Sequence, residues 1–579
     1  MIRQPNLLNV GKFGCFVMLT DYSRLVIEGS HAKTFLHAQT TNDVNGLKSG
    51  FSQYNAVLDR KARVQSLFNL FNTSDEAKNA QRYKIIDKTS IINEIREYLD
   101  KLIFNAKVNI EQNSDASFLL IHGLNQIDVL AKILNLSKYD VFKILKSSDY
   151  GALNVLGNKI NYYKEVNFNE PSLIVELPKD IDQSVSDFIV STCKSENLIE
   201  LDVNSWRNLQ LEWGQPRFKE DFDSSFNLLE TSLDFTYANY NKGCFPGQEF
   251  LNRIKTHNAV NQALFGLIFT DDISVQTNLK NLAIIVNDKE IGKIINLTTS
   301  SLLAKPVAIV ILNKEFRIHG KPIIFTLNSP DLGAKYTGSI TRLPFVTETI
   351  TDKSIQLSSL AMKEYLSANS SELIDKVTDK LIKALYLYPQ NEDAMEALAV
   401  ISEKNNKLDE AIKVIKDLIE LNPNSIMAHT NLSIFYMQKG LIDKAEEEKA
   451  ISTTLRMTQA VKDINLPQDF KEITRRLDMF KEVLAIDPND AFANFEAGTC
   501  LYEMDKFSES IPYFQNNLKN KPNNIEAYLK LAKIYVKLNQ PSQAQECIEK
   551  GIILANQKNE IKKIGDFELL KKEINSLTV

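Results

Sequence analysis

The stretch NKGCFPGQEFLNRI, residues 241–254, is the most informative part of the chain. Glycines on either side of Cys244 allow a tight turn and close approach of a ligand, while Gln248 and Glu249 are typical of the first turn of a helix. A helix N-terminus carries partial positive charge and Lys242 adds a full one, so the thiolate form is favoured. A small buried cysteine is the alternative, but an apolar pocket would not need Gly, Lys and Gly around it. We therefore predict that Cys244 is a reactive or ligating thiol and that Lys242 tunes it.

The segment KGCFPGQE resembles the KGCxxGQE signature of the YgfZ family, which is similar in fold to the aminomethyltransferase (T-protein) of the glycine cleavage system. Further matches occur in the same order, namely VIEG, FLHAQTTNDV and LEWGQP, and the resemblance covers roughly residues 18–345. It implies a folate-binding α+β core with a terminal β-barrel and tetrahydrofolate or a derivative as cofactor. It also implies a role in making or repairing iron–sulfur enzymes, including those that modify tRNA.

The resemblance also assigns individual residues. Tyr22 and Trp206 stand where the family places the aromatic residues of its folate pocket, and flat rings stack well on a pterin or aminobenzoyl ring. Core packing is the alternative for both. The expected folate-binding residues are Tyr22, Trp206, Glu212, Gly247, Gln248, Glu249 and Arg253, with Cys244 and Lys242 as the catalytic pair. The six histidines are dispersed without metal-ligand spacing, so we expect no metal site.

The C-terminal part of the chain is periodic. Pro389 and Pro423 are 34 residues apart, as are Pro488 and Pro522, and this is the period of the tetratricopeptide (TPR) repeat. Small residues at matched positions between them let paired helices approach closely, although a generic helical bundle is the alternative. The period breaks between residues 456 and 482, where we expect an inserted or degenerate helix. We predict TPR helical repeats over residues 363–579, with a groove for a peptide or protein ligand.

Residues 1–258 mix short β-rich runs with helical runs, which indicates an α+β domain. From about Asn261 the runs ALFGLIF, LAIIV, EIGKIINLT, PVAIVIL and KPIIFTL are separated by turn residues, which predicts a β-barrel domain over residues 259–346. The polar stretch TETITDKSIQLSS favours a linker, assigned to residues 347–362. The predicted fold class is an α+β folate-binding (aminomethyltransferase-like) core with a small antiparallel β-barrel, followed by an all-α TPR solenoid.

The sequence departs from the family pattern at two places. Ala62 replaces the usual glycine, so we expect the turn from Asp59 to Arg63 to shift. Just beyond it, where aminomethyltransferases carry a catalytic carboxylate, residues 64–67 read VQSL, and a general acid or base for transfer is missing there. We therefore expect an accessory factor for iron–sulfur proteins without independent turnover. The alternatives are a folate-dependent aminomethyl or one-carbon transferase, and a protein that acts mainly as a TPR interaction scaffold.

Composition sets outer limits on these hypotheses. A chain of 579 residues with 44% apolar and 24% charged residues can bury several cores. Its formal net charge is −5, whereas a general nucleic-acid binder usually carries an excess of positive charge. The five cysteines form no CxxC pair, which favours a reducing compartment, and no stretch reaches the ~20 apolar residues of a membrane span. We expect a cytoplasmic protein whose partners are a reduced folate, iron–sulfur client or assembly proteins, and a ligand on the TPR groove, with no membrane and no direct nucleic-acid contact.

Overall fold

The computed structural model describes Val10 and residues 14–75, 80–167, 170–257, 259–270, 280–300, 303–328, 335–345, 349–367, 371–464, 468–538, 540–558 and 560–577. The chain divides into two compact units, Met1–Ala445 and Glu446–Val579. Among the described residues, every helix is too short or too polar to cross a lipid bilayer.

The first unit begins with two β-sheets and the helices that join their strands. The strands are β1 (Cys15–Leu19), β2 (Tyr22–Glu28), β3 (Ser52–Leu58), β4 (Val64–Asn72), β5 (Arg82–Lys88), β6 (Asn109–Asn113), β7 (Ala116–His122), β8 (Tyr150–Val155), β9 (Asn158–Asn167), β10 (Glu170–Pro178) and β11 (Ile199–Leu201). The helices are α1 (Ala32–Gln39), α2 (Thr89–Asp100), α3 (Gln126–Leu134), α4 (Lys138–Ser147), α5 (Gln183–Ser195), α6 (Val203–Glu212), α7 (Asp234–Tyr237) and α8 (Gln248–Thr256).

The two sheets face each other. Their strand orders are β11-β1-β7-β10-β9-β8 and β3-β4-β5-β2-β6. β7 lies inside the first sheet, and its run FLLIH is buried throughout because neighbouring layers cover both faces. Leu19 and Leu120 of the first sheet and Tyr22 and Phe68 of the second line one cavity. The space between the sheets is therefore open enough to hold a ligand.

A closed barrel follows the two sheets, as the sequence predicts. Its strand order is β12-β15-β14-β13-β16-β17. The strands are β12 (Gln262–Phe269), β13 (Ala283–Val286), β14 (Lys289–Ser300), β15 (Lys305–Asn313), β16 (Pro322–Leu327) and β17 (Lys335–Thr341). Apolar side chains such as Leu267, Ile294 and Phe325 fill its interior, so the barrel has its own core.

The remaining described elements are helices. They are α9 (Ile350–Ser367), α10 (Ser371–Leu387), α11 (Glu392–Lys404), α12 (Leu408–Leu421), α13 (Ile426–Gln438), α14 (Ile442–Ile464), α15 (Gln468–Ile486), α16 (Ala491–Glu503), α17 (Phe507–Asn520), α18 (Ile525–Lys537), α19 (Pro541–Gln557) and α20 (Ile561–Leu577). Small buried residues at the predicted positions, such as Ala411 and Ala544, lie between packed helices. α15 occupies the segment where the period breaks.

Within the segment expected to be a linker, residues 350–362 are helical instead, and residues 347 and 348 lie outside the described residues. Residues 350–367 form α9, which packs on α10. The polar sequence does not indicate a packed helix, because a polar residue lies in the interface. Ser354 is buried, and its hydroxyl donates a hydrogen bond to the Ala384 carbonyl (2.7 Å). Small hydroxyl side chains that bond to a neighbouring backbone can fill a helix interface as alanine does. A polar run of this kind therefore gives no apolar signal.

The first solenoid helices belong to the same compact unit as the sheets. One apolar cluster runs from Phe16 of β1 to Ala445 of α14. Polar contacts surround it, since Asp417 of α12 accepts hydrogen bonds from Tyr139 Oη (2.8 Å) and Lys143 Nζ (2.9 Å) of α4. The helices from α9 to the start of α14 are thus fixed against the sheet region.

Candidate functional site

A cavity of about 240 Å³ lies between the two sheets. Tyr22 at the start of β2 and Trp206 on α6 both line it, together with the aromatic rings of Tyr54, Phe68 and Tyr237. The structure thus brings together the two aromatic residues that the sequence singles out, although they are far apart in the chain. Flat apolar walls of this kind suit a planar ligand.

A half-buried arginine, Arg217, organises one side of the cavity. Arg217 Nη2 donates to the Tyr22 hydroxyl (3.3 Å) and to Asp87 Oδ1 (3.3 Å), and Nη1 donates to Gln210 Oε1 (3.5 Å). Burial raises the pKa of Tyr22 to about 12, although the Arg217 charge opposes this shift. Burial also raises the pKa of Asp87, again against the pull of Arg217. Arg217 therefore holds a phenol and a carboxylate in fixed positions.

A second carboxylate, Glu165 of β9, faces the same space. Burial and then repulsion from Asp87 raise its pKa to about 7, while Arg217 and a hydrogen bond from Asn69 oppose the rise. The carboxyl group consequently changes charge near neutral pH. A group of this kind can accept hydrogen bonds from a ligand when ionised and can hold a proton when neutral.

Two polar atoms at the cavity have no partner within the described part of the chain. They are Asn69 Oδ1, an acceptor, and Gln215 Nε2, a donor, and their side chains are 7% and 6% exposed. A buried polar group without a partner is costly, about 1–3 kcal/mol, so such atoms at a cavity indicate a ligand that satisfies them. The implied ligand presents both a donor and an acceptor.

The other residues expected to bind folate lie elsewhere. Glu212 is buried and accepts a hydrogen bond from Ser300 Oγ (2.9 Å) on β14, so it joins α6 to the barrel. Gly247 is the N-cap of α8, and Gln248, Glu249 and Arg253 follow on that helix. None of these five is among the described residues that line the cavity. The family motifs predict that these residues bind the same ligand as Tyr22 and Trp206. The order of motifs along the chain does not show on which face of the domain each motif lies.

The two residues of the catalytic pair expected from the sequence differ in exposure. Cys244 is exposed on the loop before α8, whereas Cys15, Cys193, Cys500 and Cys547 are buried. Lys242 is buried, and its ammonium donates to the carbonyls of His37, Thr40 (2.6 Å) and Asn42 (3.3 Å). Burial lowers the pKa of Lys242 to about 8. The main task of Lys242 is therefore to anchor the loop to the C-terminal end of α1, where a cation is favoured.

Ala62 has a backbone conformation that favours glycine. Its φ is +59°, in the left-handed region, and Asp59 Oδ1 closes the turn by accepting the Lys61 (2.8 Å) and Arg63 (2.9 Å) amides. The turn then packs against α8, because a Cβ on Gly247 would lie 2.6 Å from the Asp59 carbonyl oxygen. The expected shift of this turn is thus resisted by its own hydrogen bonds.

The sequence prediction missed Asp87, Glu165 and Arg217. No carboxylate stands at residues 64–67, yet two carboxylates reach the cavity from β5 and β9. The signal appears only in the structure, where Glu165 follows the buried Tyr163 by two residues, so that on a strand both point to the same face. An acid on a buried strand face is a reason to look for a binding site.

Comparison with known proteins relates both halves of the chain to described families. Tetratricopeptide repeat models match residues 392–425 and 501–563. The aminomethyltransferase of Pelodictyon phaeoclathratiforme is 23% identical over 330 residues, which cover 56% of this chain and 85% of that protein. The tRNA-modifying protein YgfZ of Yersinia enterocolitica is 24% identical over 254 residues, covering 43% and 70%. The N-terminal half is aminomethyltransferase-like.

The solved aminomethyltransferase T of the glycine cleavage system from Bartonella henselae aligns with a TM-score of 0.48 at 16% identity, over 57% of this chain and 86% of that one. The relatives and the repeat matches confirm the resemblance and the fold class predicted from the sequence. An aminomethyltransferase-like region with its closed six-stranded barrel precedes a helical TPR region.

Proposed function

We propose that the aminomethyltransferase-like region binds tetrahydrofolate or a derivative between its sheets, and that the chain is a cytoplasmic accessory factor for iron–sulfur enzymes, including tRNA-modifying ones. The observation that carries the folate proposal is the pairing of aromatic walls with the unpartnered atoms of Asn69 and Gln215. The relatives support the same ligand class.

The residues present fit a reduced folate. A pterin is planar, with N–H donors and a carbonyl acceptor on its edge, so Glu165 and Asn69 can accept its hydrogen bonds while Gln215 donates one. Tyr22 and Trp206 line the cavity that would hold the rings, and Trp206 is 3% exposed. The bound folate would supply a carrier for one-carbon units. The chain's own residues bind it, orient it and exclude water.

Tryptophan fluorescence tests the folate proposal. The two tryptophans, Trp206 and Trp213, have ring centroids 5.7 Å apart, so a Trp213→Phe variant leaves the cavity residue as the only reporter. We expect tetrahydrofolate to change the emission of this variant, and Glu165→Ala to weaken binding at least about tenfold while the exposed Glu200→Ala does not. Unchanged emission together with no calorimetric heat at millimolar ligand contradicts the proposal.

The iron–sulfur part of the proposal rests on Cys244, the exposed cysteine of the described residues. An accessible thiol can take part in transient redox or cluster chemistry, whereas burial raises the pKa of Cys193 to about 12 and keeps that thiol inert. We expect Cys244→Ala to abolish complementation of a deletion strain, measured by its iron–sulfur enzyme activities, and Cys193→Ala, the matched control, to complement. Full complementation by Cys244→Ala contradicts this role.

The TPR helices are proposed to bind a client or assembly protein. Such arrays take extended or helical peptides in a groove and contain little means of catalysis. A chain that ends at Ile464 keeps the sheets, the barrel and the helices fixed against them, including Ala445 of α14. We expect it to bind tetrahydrofolate normally but to lose support of iron–sulfur enzymes. If the shortened chain still supports the iron–sulfur enzyme activities, the removed helices do not recruit the client protein.

A second candidate function, aminomethyl or one-carbon transfer, is favoured by Asp87 and Glu165. Residues 64–67 contain no carboxylate, which is the argument against a transferase. Asp87 and Glu165 place two carboxylates at the cavity from other strands. Incubation with a labelled aminomethyl donor and tetrahydrofolate tests this function. Release of labelled methylene-tetrahydrofolate by the wild type but not by Asp87→Asn supports a transferase, and no release by the wild type excludes that donor reaction.

A further inference from the structure

The helix α18 carries three lysines on one side. Lys530, Lys533 and Lys537 are three and four residues apart, so their side chains leave the same face of the helix. Within the described part of the chain none of the three forms an ion pair, and the carboxylate of α18, Glu526, is paired with Lys563 of α20. Like charges at this spacing repel, so the face bears a cost that an anionic partner would relieve.

The carboxylates of α16 that act on Lys530 already have a partner. Arg476 of α15 lies 3.2 Å from Glu496 Oε2 and 3.6 Å from Glu503 Oε2. Burial lowers the pKa of Lys530, the Glu503 charge opposes this shift, and the Lys533 charge adds to it. Lys530 and Lys533 are therefore close enough to repel each other, while Arg476 neutralises the nearby acids.

Two aromatic rings hold the lysines in place. Lys530 Nζ lies 4.4 Å from the centre of the Tyr502 ring, and Lys537 Nζ lies 4.4 Å from the centre of the Phe507 ring and 5.8 Å from that of Tyr502. An ammonium over the face of an aromatic ring is attracted by the ring quadrupole. The positive charge is thus gathered at the corner between α16 and α17, and each ammonium still has N–H groups that can donate to an incoming acceptor.

The combination of cations and half-buried rings favours an acidic peptide over a nucleic acid. Single-stranded nucleic acids bind by stacking their bases on open aromatic faces. Here the lysine ammonium groups cover one face of Tyr502 and of Phe507, and both side chains are half-buried. The tetratricopeptide match at residues 501–563 includes all of these residues, and such repeats take peptides.

We propose that the lysine face, defined as Lys530, Lys533 and Lys537, is the docking site for an acidic peptide segment of the client or assembly protein. Carboxylates along the segment pair with the three ammonium groups, and its apolar side chains contact the edges of Tyr502 and Phe507. This inference rests on the recruitment proposed for the TPR helices and names the chemistry of the segment that they take. It involves neither the folate cavity nor Cys244.

Fluorescence anisotropy of the full chain with two labelled decapeptides tests the proposal. One peptide alternates glutamate with leucine, and the other alternates lysine with leucine. We expect the acidic peptide to bind at least about tenfold more tightly, and its affinity to fall as salt is added. Lys533→Gln/Lys537→Gln should weaken its binding about tenfold. The matched control, Lys519→Gln/Lys521→Gln, removes the same charge from exposed lysines at the end of α17 and should change the affinity less than about twofold.

Equal weakening by the two double variants would reduce the binding to net charge and overturn the proposal, as would tighter binding of the lysine peptide. Tighter binding of labelled oligouridylate that requires Lys533 and Lys537 overturns it in favour of a nucleic acid. Circular dichroism checks that each variant is folded, and Lys530→Gln, expected to weaken the acidic peptide in the same way, provides a second route.

Complementation of a deletion strain separates this inference from the proposed function. Loss of iron–sulfur enzyme activities with Lys533→Gln/Lys537→Gln, but not with the control variant, supports the lysine face as the docking site. If that variant keeps full support while the chain that ends at Ile464 loses it, the helices recruit the client through another face and this inference alone is overturned. If both keep full support, the recruitment by the TPR helices fails as well.

Discussion

The ionisation of Glu165 should control ligand affinity. Its pKa of about 7 means that the empty cavity holds a neutral carboxyl group below neutral pH. If the ionised form accepts the ligand's N–H groups, binding must displace a proton there, and affinity falls up to about tenfold for each pH unit below 7. Calorimetry with tetrahydrofolate from pH 5.5 to 8.5 measures this slope. Glu165→Gln should flatten it, and an equal slope in both proteins would remove Glu165 from the binding equilibrium.

Lys242 should matter for stability as well as for the motif. Replacing it by methionine keeps the length of the side chain but removes the ammonium that donates to the buried Thr40 carbonyl. We expect the free energy of unfolding to fall by about 1–3 kcal/mol in urea titrations. Lys61→Met, at an exposed position, is the control and should change it by less than about 0.5 kcal/mol. Similar values for the two variants would mean that water replaces the lost ammonium.

At the level of elements, the start of α8 depends on Gly247. Its φ is +81°, and a Cβ there would lie 2.6 Å from the Asp59 carbonyl oxygen and 2.8 Å from Ala62 Cα. Gly157 has nearly the same φ, +82°, but open space around it. We expect Gly157→Ala to cost about 1 kcal/mol for the backbone alone and Gly247→Ala at least about 2 kcal/mol more, because backbone must move. If both variants lose the same free energy of unfolding, the turn from Asp59 to Arg63 moves aside at little cost.

The elements that the sequence predicts well are those whose signal is local. The helix after Gly247, the short apolar strands of the barrel and the TPR period are all visible in the spacing of residue types. α9 is not, because its interface mixes the buried Ser354 and Ser358 with apolar residues such as Ala361. The cavity is only partly predictable: Tyr22 and Trp206 match a family pattern, whereas Glu165 becomes informative only when its strand faces a partner sheet.

At the scale of the molecule, the solenoid begins as an extension of the sheet region. Asp417 of α12 accepts hydrogen bonds from Tyr139 and Lys143 of α4, and burial with Asp417 beside it raises the pKa of Tyr139. Asp417→Ala leaves the buried Tyr139 hydroxyl unpaired, so the free energy of unfolding should fall by about 1–3 kcal/mol. Asp409→Ala breaks only the ion pair of an 84% exposed side chain with Lys439 and should cost less than about 0.5 kcal/mol. Urea titration of both variants distinguishes them, and equal losses would mean that this contact does not hold the helices in place.

The pairing of β1 has a consequence for synthesis on the ribosome. Cys15 pairs with His122 of β7 and with Ile199 of β11, so β1 finds its partners only after much more of the chain has been translated. Chains emerge N-terminus first, and pairing between distant segments must wait for the later one. The nascent polypeptide therefore carries the apolar segment CFVML without a neighbour while more than a hundred further residues are made. A chaperone that binds extended apolar peptides would bind the nascent chain at this segment.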